Sequence, residues 1–166
     1  MREELEKVYD KYASELYKYA LMISADHGTA EDAVQQVFVK MLKMGNRVLQ
    51  IESYNGYLRR AVRNECYEII KKRNLSKGIV EKLSSKPIIE NSDEKEANEE
   101  ERELLEGVIK ELAPEQREVL HMKVFEDKTL SEIGEMTGVS TNTAASRYRY
   151  AMDKLREILF LRKNNG

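Results

Sequence analysis

Short polar side chains and arginines lie close together near the end of the chain, where they could hydrogen-bond base edges and hold phosphates. The segment reads TNTAASRYR from residue 141. Hydroxyl and amide groups can read base edges in a DNA groove, whereas arginines also bind backbone phosphates. The expected DNA-contacting residues are Thr141, Asn142, Thr143, Ala145, Ser146, Arg147 and Arg149.

The segment that positions these residues has the pattern of two helices separated by a tight turn. Thr129 and Glu132 form a capping box that starts a short helix. Gly138 is suited to end this helix, and Ser140 can cap a longer second one. The predicted inward positions are Ile133, Met136, Val139, Ala144, Tyr148, Ala151 and Leu155. This pattern predicts a helix-turn-helix for the major groove, with a solvated helical hairpin as the alternative.

A second group of basic residues lies on a predicted helix that Ser53 can cap and that ends near Arg73. Its inward stripe is Tyr57, Leu58, Ala61, Val62, Cys66 and Ile69. Its remaining face carries Arg59, Arg60, Arg63, Lys71, Lys72 and Arg73 against Glu65 and Glu68. The local charge is therefore positive, which suits a nucleic-acid surface but also an ordinary solvated face.

Two amphipathic helices are predicted before this basic helix. Apolar residues between Glu4 and Ile23, Tyr9 among them, step by three and four, which is the period of a helix with one buried face. Thr29 is predicted to cap a second helix that runs to Met44. The residues expected to share one core in this half are Leu16, Val34, Val37, Val62 and Ile69.

The composition favours an all-α fold with two small helical domains. Only two prolines and eight glycines occur among 166 residues, of which 41% are hydrophobic and 35% charged. Residues 76–102 lose helical periodicity and are rich in acids, so we predict a flexible acidic linker between domains at 1–75 and 103–166. The stretch 76–103 holds nine acidic and five basic residues, so the rest of the chain carries +2 although the whole carries −2.

Other classes of function are not favoured by the residue types. Cys66 is the single cysteine, and His27 and His121 are the two histidines, so we expect neither a disulfide nor a metal cluster. No glycine-rich phosphate loop and no paired nucleophile and base occur, so we expect no enzyme, no cofactor and no small-molecule substrate. No apolar run approaches the ~18 residues that span a bilayer. We therefore expect a cytoplasmic protein that has no membrane association and no signal peptide.

The helix-turn-helix and the helix before it resemble region 4 of the sigma-70 family. The quoted segments are LAPEQREVL at 112–120, LSEIGEMTGVS at 130–140 and TAASR at 143–147. The family pattern runs roughly L-x-P-x-x-R-E-V, then E-I-A-E-x-x-G-[VI]-S, then T-V-K-S-R. Independently, AEDAVQQVF at 30–38 and YLRRAVRN at 57–64 are similar to region 2. Both matches in this order resemble a bacterial sigma factor of the extracytoplasmic-function type.

This resemblance implies a subunit that binds core RNA polymerase and reads the −10 and −35 elements of promoter DNA. In the family, region 2 docks on the clamp coiled coil of the polymerase, and region 4 meets its flap. By this match the polymerase-docking residues are Glu31, Asp32, Gln35, Gln36 and Phe38, and the −10 residues are Arg59, Arg60, Arg63 and Asn64. The residues of the last predicted helix then read the −35 element. An anti-sigma factor is a further partner that the family admits.

Three residues depart from the family pattern. Gln36 replaces a common acid, which puts a charge pair with the polymerase in doubt. Ala145 replaces a lysine and so loses one contact to DNA. Gly134 replaces an alanine in the first helix of the helix-turn-helix, which costs that helix up to ~1 kcal/mol.

The alternative to a sigma factor is a two-domain transcription regulator or polymerase-binding antagonist that does not support initiation. Its helix-turn-helix would have the same pattern. An ordinary regulator, however, has no need of the region 2 motifs at 31–38 and 59–64. These paired motifs favour the sigma factor.

Overall fold

The computed structural model describes residues 1–76 and 99–165, which form seven α-helices and one 3-10 helix. The N-terminal helices are α1 (Arg2–Ser24), α2 (His27–Met44), the 3-10 helix (Gly45–Gln50) and α3 (Tyr54–Leu75). The C-terminal helices are α4 (Glu99–Glu111), α5 (Pro114–Val124), α6 (Leu130–Thr137) and α7 (Thr141–Asn165). The predicted all-α class is confirmed.

The chain divides into two compact units, Met1–Lys86 and Pro87–Gly166. Most of the predicted linker, residues 77–98, lies outside the described residues. Helix α4 begins at Glu99, within the range 76–102 predicted as linker. The predicted domain limits of 1–75, 76–102 and 103–166 stay a prediction.

In the N-terminal unit, α1, α2 and α3 pack against one another around a single core. Of the five predicted core residues, Leu16, Val34, Val37 and Val62 are buried, while Ile69 is half-buried. The prediction that Tyr9 points inward was wrong, because 50% of it is exposed. Its ring instead packs edge-on against Phe38, with 5.0 Å between the ring centroids.

The turn between α1 and α2 differs from the prediction. Helix α1 ends at Ser24, and its C-cap residue Ala25 lies in the left-handed region at φ 54°. Helix α2 begins at His27, with Asp26 as its N-cap. The Asp26 carboxylate accepts hydrogen bonds from the Thr29 backbone N–H at 2.8 Å and the Thr29 hydroxyl at 2.7 Å. Asp26 therefore caps α2, and Thr29, which was the predicted cap, instead donates hydrogen bonds to the Asp26 carboxylate.

In the C-terminal unit, Tyr148 packs against two adjoining clusters of buried residues. One consists of Val108, Leu112, Leu120 and Ala151, and the other of Val119, Met122, Ile133 and Ala144. Val139 and Leu155 are half-buried as members of this core. Met136 is 38% exposed, contrary to prediction, because the buried side of the short α6 runs through Ile133, Gly134 and Thr137 instead.

The junction of α4 and α5 is held by a buried arginine. Pro114 is the first residue of α5, a position that suits proline because its missing N–H has no partner there. Arg117 is only 6% exposed, and its Nη1 donates to the carbonyl oxygens of Leu112 at 2.6 Å and Ile109 at 3.3 Å. A cation at the last carbonyls of a helix satisfies acceptors that have no partner within the helix. The arginine of the LAPEQREVL motif therefore stabilises the fold rather than offering a binding surface.

Candidate DNA-binding and polymerase-docking surfaces

The turn of the helix-turn-helix has the local geometry that its sequence predicts. Thr129 Oγ1 accepts from the Glu132 N–H at 3.1 Å, and Glu132 Oε1 accepts from the Thr129 N–H at 3.3 Å. Gly138 ends α6 in the left-handed region at φ 74°, and Ser140 Oγ accepts from the Thr143 N–H at 3.0 Å. These caps set the direction in which α7 leaves the turn.

Gly134 lets the turn approach α6 closely. A Cβ atom at this position would lie 2.8 Å from the Val139 carbonyl oxygen, and the Val139 N–H donates to the Gly134 carbonyl at 2.9 Å. A backbone oxygen cannot rotate out of the way as a side chain can. Gly134, which stands where the family usually has alanine, therefore allows α6 to pack closely against the turn.

The start of α7 presents a polar stripe to solvent. Asn142, Ser146 and Arg149 are exposed and are spaced by four and three residues, so they share one side of the helix. Arg149 Nη2 donates to Ser146 Oγ at 3.3 Å. Buried Ala144 anchors the opposite side. Of the other predicted residues, Thr141 is exposed, whereas Thr143, Ala145 and Arg147 are half-buried.

The predicted −10 residues on α3 fall into two kinds. Arg60 and Asn64 are exposed and lie one turn apart. Arg63 is half-buried, and its Cζ lies 4.8 Å from the centroid of the Tyr67 ring. Arg59 lies over the Tyr19 ring at 4.3 Å, and that tyrosine is only 2% exposed. Arg59 therefore covers the core, while the other three lie toward solvent.

The predicted docking residues on α2 also divide. Glu31, Asp32, Gln35 and Gln36 are exposed on neighbouring turns. Phe38 is only 7% exposed, because it packs under Tyr9. Most of its surface is therefore unavailable to a partner.

Apolar residues outside the predicted docking set continue this face of α2. Val39 is 41% exposed and Leu42 is 50% exposed. Leu42 and Phe38 line a groove between α1 and α2 of about 600 Å³. The other lining residues are Met1, Arg2, Leu5, Glu6, Tyr9 and Asp10. Helical spacing from Gln35 to apolar Val39 and Leu42 was the signal in the sequence.

An ion pair connects the helices that carry these two surfaces. Lys40 Nζ of α2 lies 2.7 Å from Glu65 Oε2 of α3. At the far end of α3, Arg73 binds the Asp26 carboxylate at 3.1 Å and also the Thr29 hydroxyl. The orientation of the basic helix is therefore fixed relative to α2 at two points.

Within residues 1–76 and 99–165, no three His, Cys, Asp or Glu residues are grouped so that they could hold a metal ion. None of the helices described there is both long and apolar enough to cross a bilayer.

Both units match known sequence families. Residues 8–75 match the family described as Sigma-70 region 2, and residues 108–157 match the one described as Sigma-70, region 4. Region 2 therefore precedes region 4 along the chain, and the helix-turn-helix lies within the region 4 match. The chain belongs to the sigma-70 family of RNA polymerase sigma factors.

Two individual relatives are RNA polymerase sigma factors. The RNA polymerase sigma-E factor of Streptomyces coelicolor is 29% identical over 147 residues, covering 89% of this chain and 81% of the relative. The RNA polymerase sigma factor SigZ of Bacillus subtilis is 22% identical over 155 residues, covering 93% and 86%.

The fold is shared with a solved sigma factor. This is RpoE of Bartonella quintana, whose structure contains the anti-sigma factor NepR. The TM-score is 0.68 at 22% identity, and the match covers 95% of each chain.

Proposed function

We propose that this sigma factor divides its work between the surfaces described above, with core polymerase on α2, the −10 element on α3 and the −35 element on α7. The chain binds core RNA polymerase and directs promoter-specific transcription initiation. The observation that carries the division is the ion-paired contact of α2 and α3 within one unit, combined with an independently built helix-turn-helix in the other. The proposed limits are 1–75 for region 2, 76–102 for the linker and 103–166 for region 4.

Docking on the clamp coiled coil uses the exposed residues of α2. Glu31, Asp32, Gln35 and Gln36 provide hydrogen bonds and charge, and Leu42 adds apolar contact area. Phe38 is 7% exposed and lines the groove together with Leu42, so it mainly supports this surface from within the unit. Protein interfaces commonly combine polar contacts with apolar contact area.

Recognition of the −10 element uses the exposed side of α3. Arg60 and Arg63 hold the backbone, while the Asn64 amide pairs with an unstacked base. Arg59 supports this side by covering Tyr19 rather than by reaching DNA.

Recognition of the −35 element uses the start of α7. Asn142 and Ser146 face base edges in the major groove, with Thr141 and Thr143 beside them, and Arg149 and Arg147 hold phosphates. Ala145 leaves room between these side chains for a base edge or methyl group. Region 4 also meets the polymerase flap.

The protein is an initiation factor and not itself a catalyst, and it requires no cofactor. It acts in the cytoplasm and takes neither a membrane nor a small molecule as a partner. The anti-sigma complex of the Bartonella relative supports an anti-sigma factor as a further partner of this chain.

Reconstitution with bacterial core polymerase tests the proposed function. Transcription starts mapped across a genome with and without the chain are expected to include discrete new starts that share two spaced motifs. Core polymerase alone and a Glu31→Lys, Asp32→Arg variant serve as controls, and the variant should yield fewer of these starts. If the chain binds polymerase but yields no new start, the alternative of a sigma-like antagonist is correct.

A further inference from the structure

The exposed side of α3 continues beyond the residues of the region 2 motif. Arg60, Arg63, Asn64 and Tyr67 occupy positions separated by three, four and seven residues, so they share one side of the helix. Tyr67 is half-buried rather than enclosed. It therefore lies one turn past Asn64 on the same surface.

The Tyr67 ring is held in place by a positive charge. Arg63 Cζ lies 4.8 Å from the ring centroid, which is the geometry of a cation–π contact. The arrangement places an aromatic ring and a guanidinium together at the surface. Single-stranded DNA is bound by this combination, because each base has a face that can stack and each nucleotide has a phosphate.

The charges around Tyr67 favour an anionic ligand. Glu65 is engaged by Lys40 at 2.7 Å, which removes much of its repulsion toward a phosphate. Glu68 is the exposed acid beside Tyr67, and the basic residues Lys71 and Lys72 follow on the next turn. The net charge of this part of α3 is therefore positive.

We propose that Tyr67, held by Arg63, stacks on an unpaired base of the promoter strand next to the base that Asn64 contacts. Three residues of helix advance by about 4.5 Å along the axis, so the ring lies within reach of the neighbouring nucleotide. Stacking tolerates any base, so Tyr67 stabilises the melted state without adding sequence preference. This inference rests on the proposed function of α3 in −10 recognition.

The test uses holoenzyme formed from the full chain and a forked fragment of a promoter found by the start mapping, with one strand unpaired through the −10 element. Tyr67→Leu should weaken binding to the fork by about 5-fold or more. Binding to the fully paired fragment should change by less than about 2-fold, because a paired base cannot stack on the ring. Tyr67→Phe keeps the ring and should bind the fork as the wild type does.

Abasic substitutions in the unpaired strand separate stacking from a structural role. An abasic site at the stacked position should weaken DNA binding by the wild-type protein. The same abasic site should weaken DNA binding by the Tyr67→Leu variant much less, because that variant has already lost the stacking contact. Equal losses at every position in both proteins would overturn the inference. The inference would also be wrong if Tyr67→Leu weakened binding to the forked fragment and to the fully paired fragment equally.

Two controls keep the outcome interpretable. Tyr12→Leu removes a ring that also has a cation, Lys11 Nζ, at 5.2 Å, but this pair lies on α1, so fork binding should be unchanged. Thermal unfolding of each variant reports any loss of fold. If Asn64→Ala weakens fork binding while Tyr67→Leu does not, the inference about Tyr67 is wrong but the proposed role of α3 is retained. If wild-type holoenzyme does not prefer the fork to the duplex, the proposed role of α3 fails with it.

Discussion

Gly134 brings two opposing effects on stability together in one residue. Glycine within a helix is less stable than alanine by roughly 1 kcal/mol, because the unfolded chain has more conformations. Here, however, a Cβ would lie 2.8 Å from the backbone oxygen of Val139. The steric contact should outweigh the helix propensity, because neither atom belongs to a flexible side chain.

We therefore expect Gly134→Ala to destabilise the C-terminal unit by about 1–3 kcal/mol, the range for overpacking a well-filled site. Denaturant unfolding measures the change. Gly107→Ala is the matched control, since Gly107 lies within α4 and no atom lies within 4 Å of its added Cβ. That change should stabilise the protein by up to about 1 kcal/mol. Stabilisation by both changes would show that the turn relaxes without cost.

Among the helical elements, the junction of α1, α2 and α3 depends on Asp26. Burial raises the pKa of this carboxyl, but the hydrogen bonds from Thr29 and the charge of Arg73 outweigh it and lower the pKa below its ordinary value of 3.8. A carboxyl with a lowered pKa in the folded state stabilises the fold at pH above 3.8. That contribution is lost as the pH falls through 3.8 and on toward the lower folded pKa.

Replacing Asp26 should remove this dependence on pH. Asp26→Ala is expected to cost roughly 1 kcal/mol or more at neutral pH, since it removes both the cap of α2 and the partner of Arg73. The difference from the wild type should be constant above about pH 5 and should shrink below pH 3.8. Urea unfolding across this range measures it. Asp153→Ala, which removes an exposed partner of Arg156, should leave the pH dependence of the unfolding free energy nearly unchanged. If the difference in unfolding free energy between Asp26→Ala and the wild type does not vary with pH, Asp26 does not have the assigned role.

For the molecule as a whole, the two units are assigned successive steps of initiation. In the function proposed above, the polar stripe of α7 would hold duplex DNA, and the basic side of α3 would meet the strand after it is unpaired. The assignments predict that variants in the two units affect different steps. A change in α7 should therefore affect formation of the closed complex, and a change in α3 should affect formation of the open complex.

Asn142→Ala should weaken the closed complex and alter preference at particular −35 positions, by ~1–3 kcal/mol if the amide makes a bidentate contact. Asn64→Ala should leave the closed complex nearly intact and slow the formation of the open complex. Filter binding and permanganate footprinting on one mapped promoter separate these steps. An Asn64 variant that melts DNA at the normal rate, beside an Asn142 variant that binds but cannot melt, would reverse the assignment of roles.

Several elements of the fold could be predicted from neighbouring residues alone. Ser53 caps α3, Pro114 begins α5, and Thr129 with Glu132 forms the capping box of α6. Each of these signals acts within one turn of chain, so the sequence contains everything that the local structure needs. The polar stripe of α7 was also predictable, because buried Ala144 determines which positions face outward.

Other features depend on residues that are distant along the chain. Phe38 is buried because Tyr9 of α1 lies over it, and Arg59 is withdrawn from solvent because Tyr19 offers its ring. The position of Arg73, 44 residues after Thr29, completes the cap of α2. Helical periodicity gives the direction of a side chain from its own helix axis but not what another helix places in front of it. The sequence therefore identified the helices and the faces that we propose as binding surfaces, while packing between helices determined which side chains on those faces are exposed to solvent.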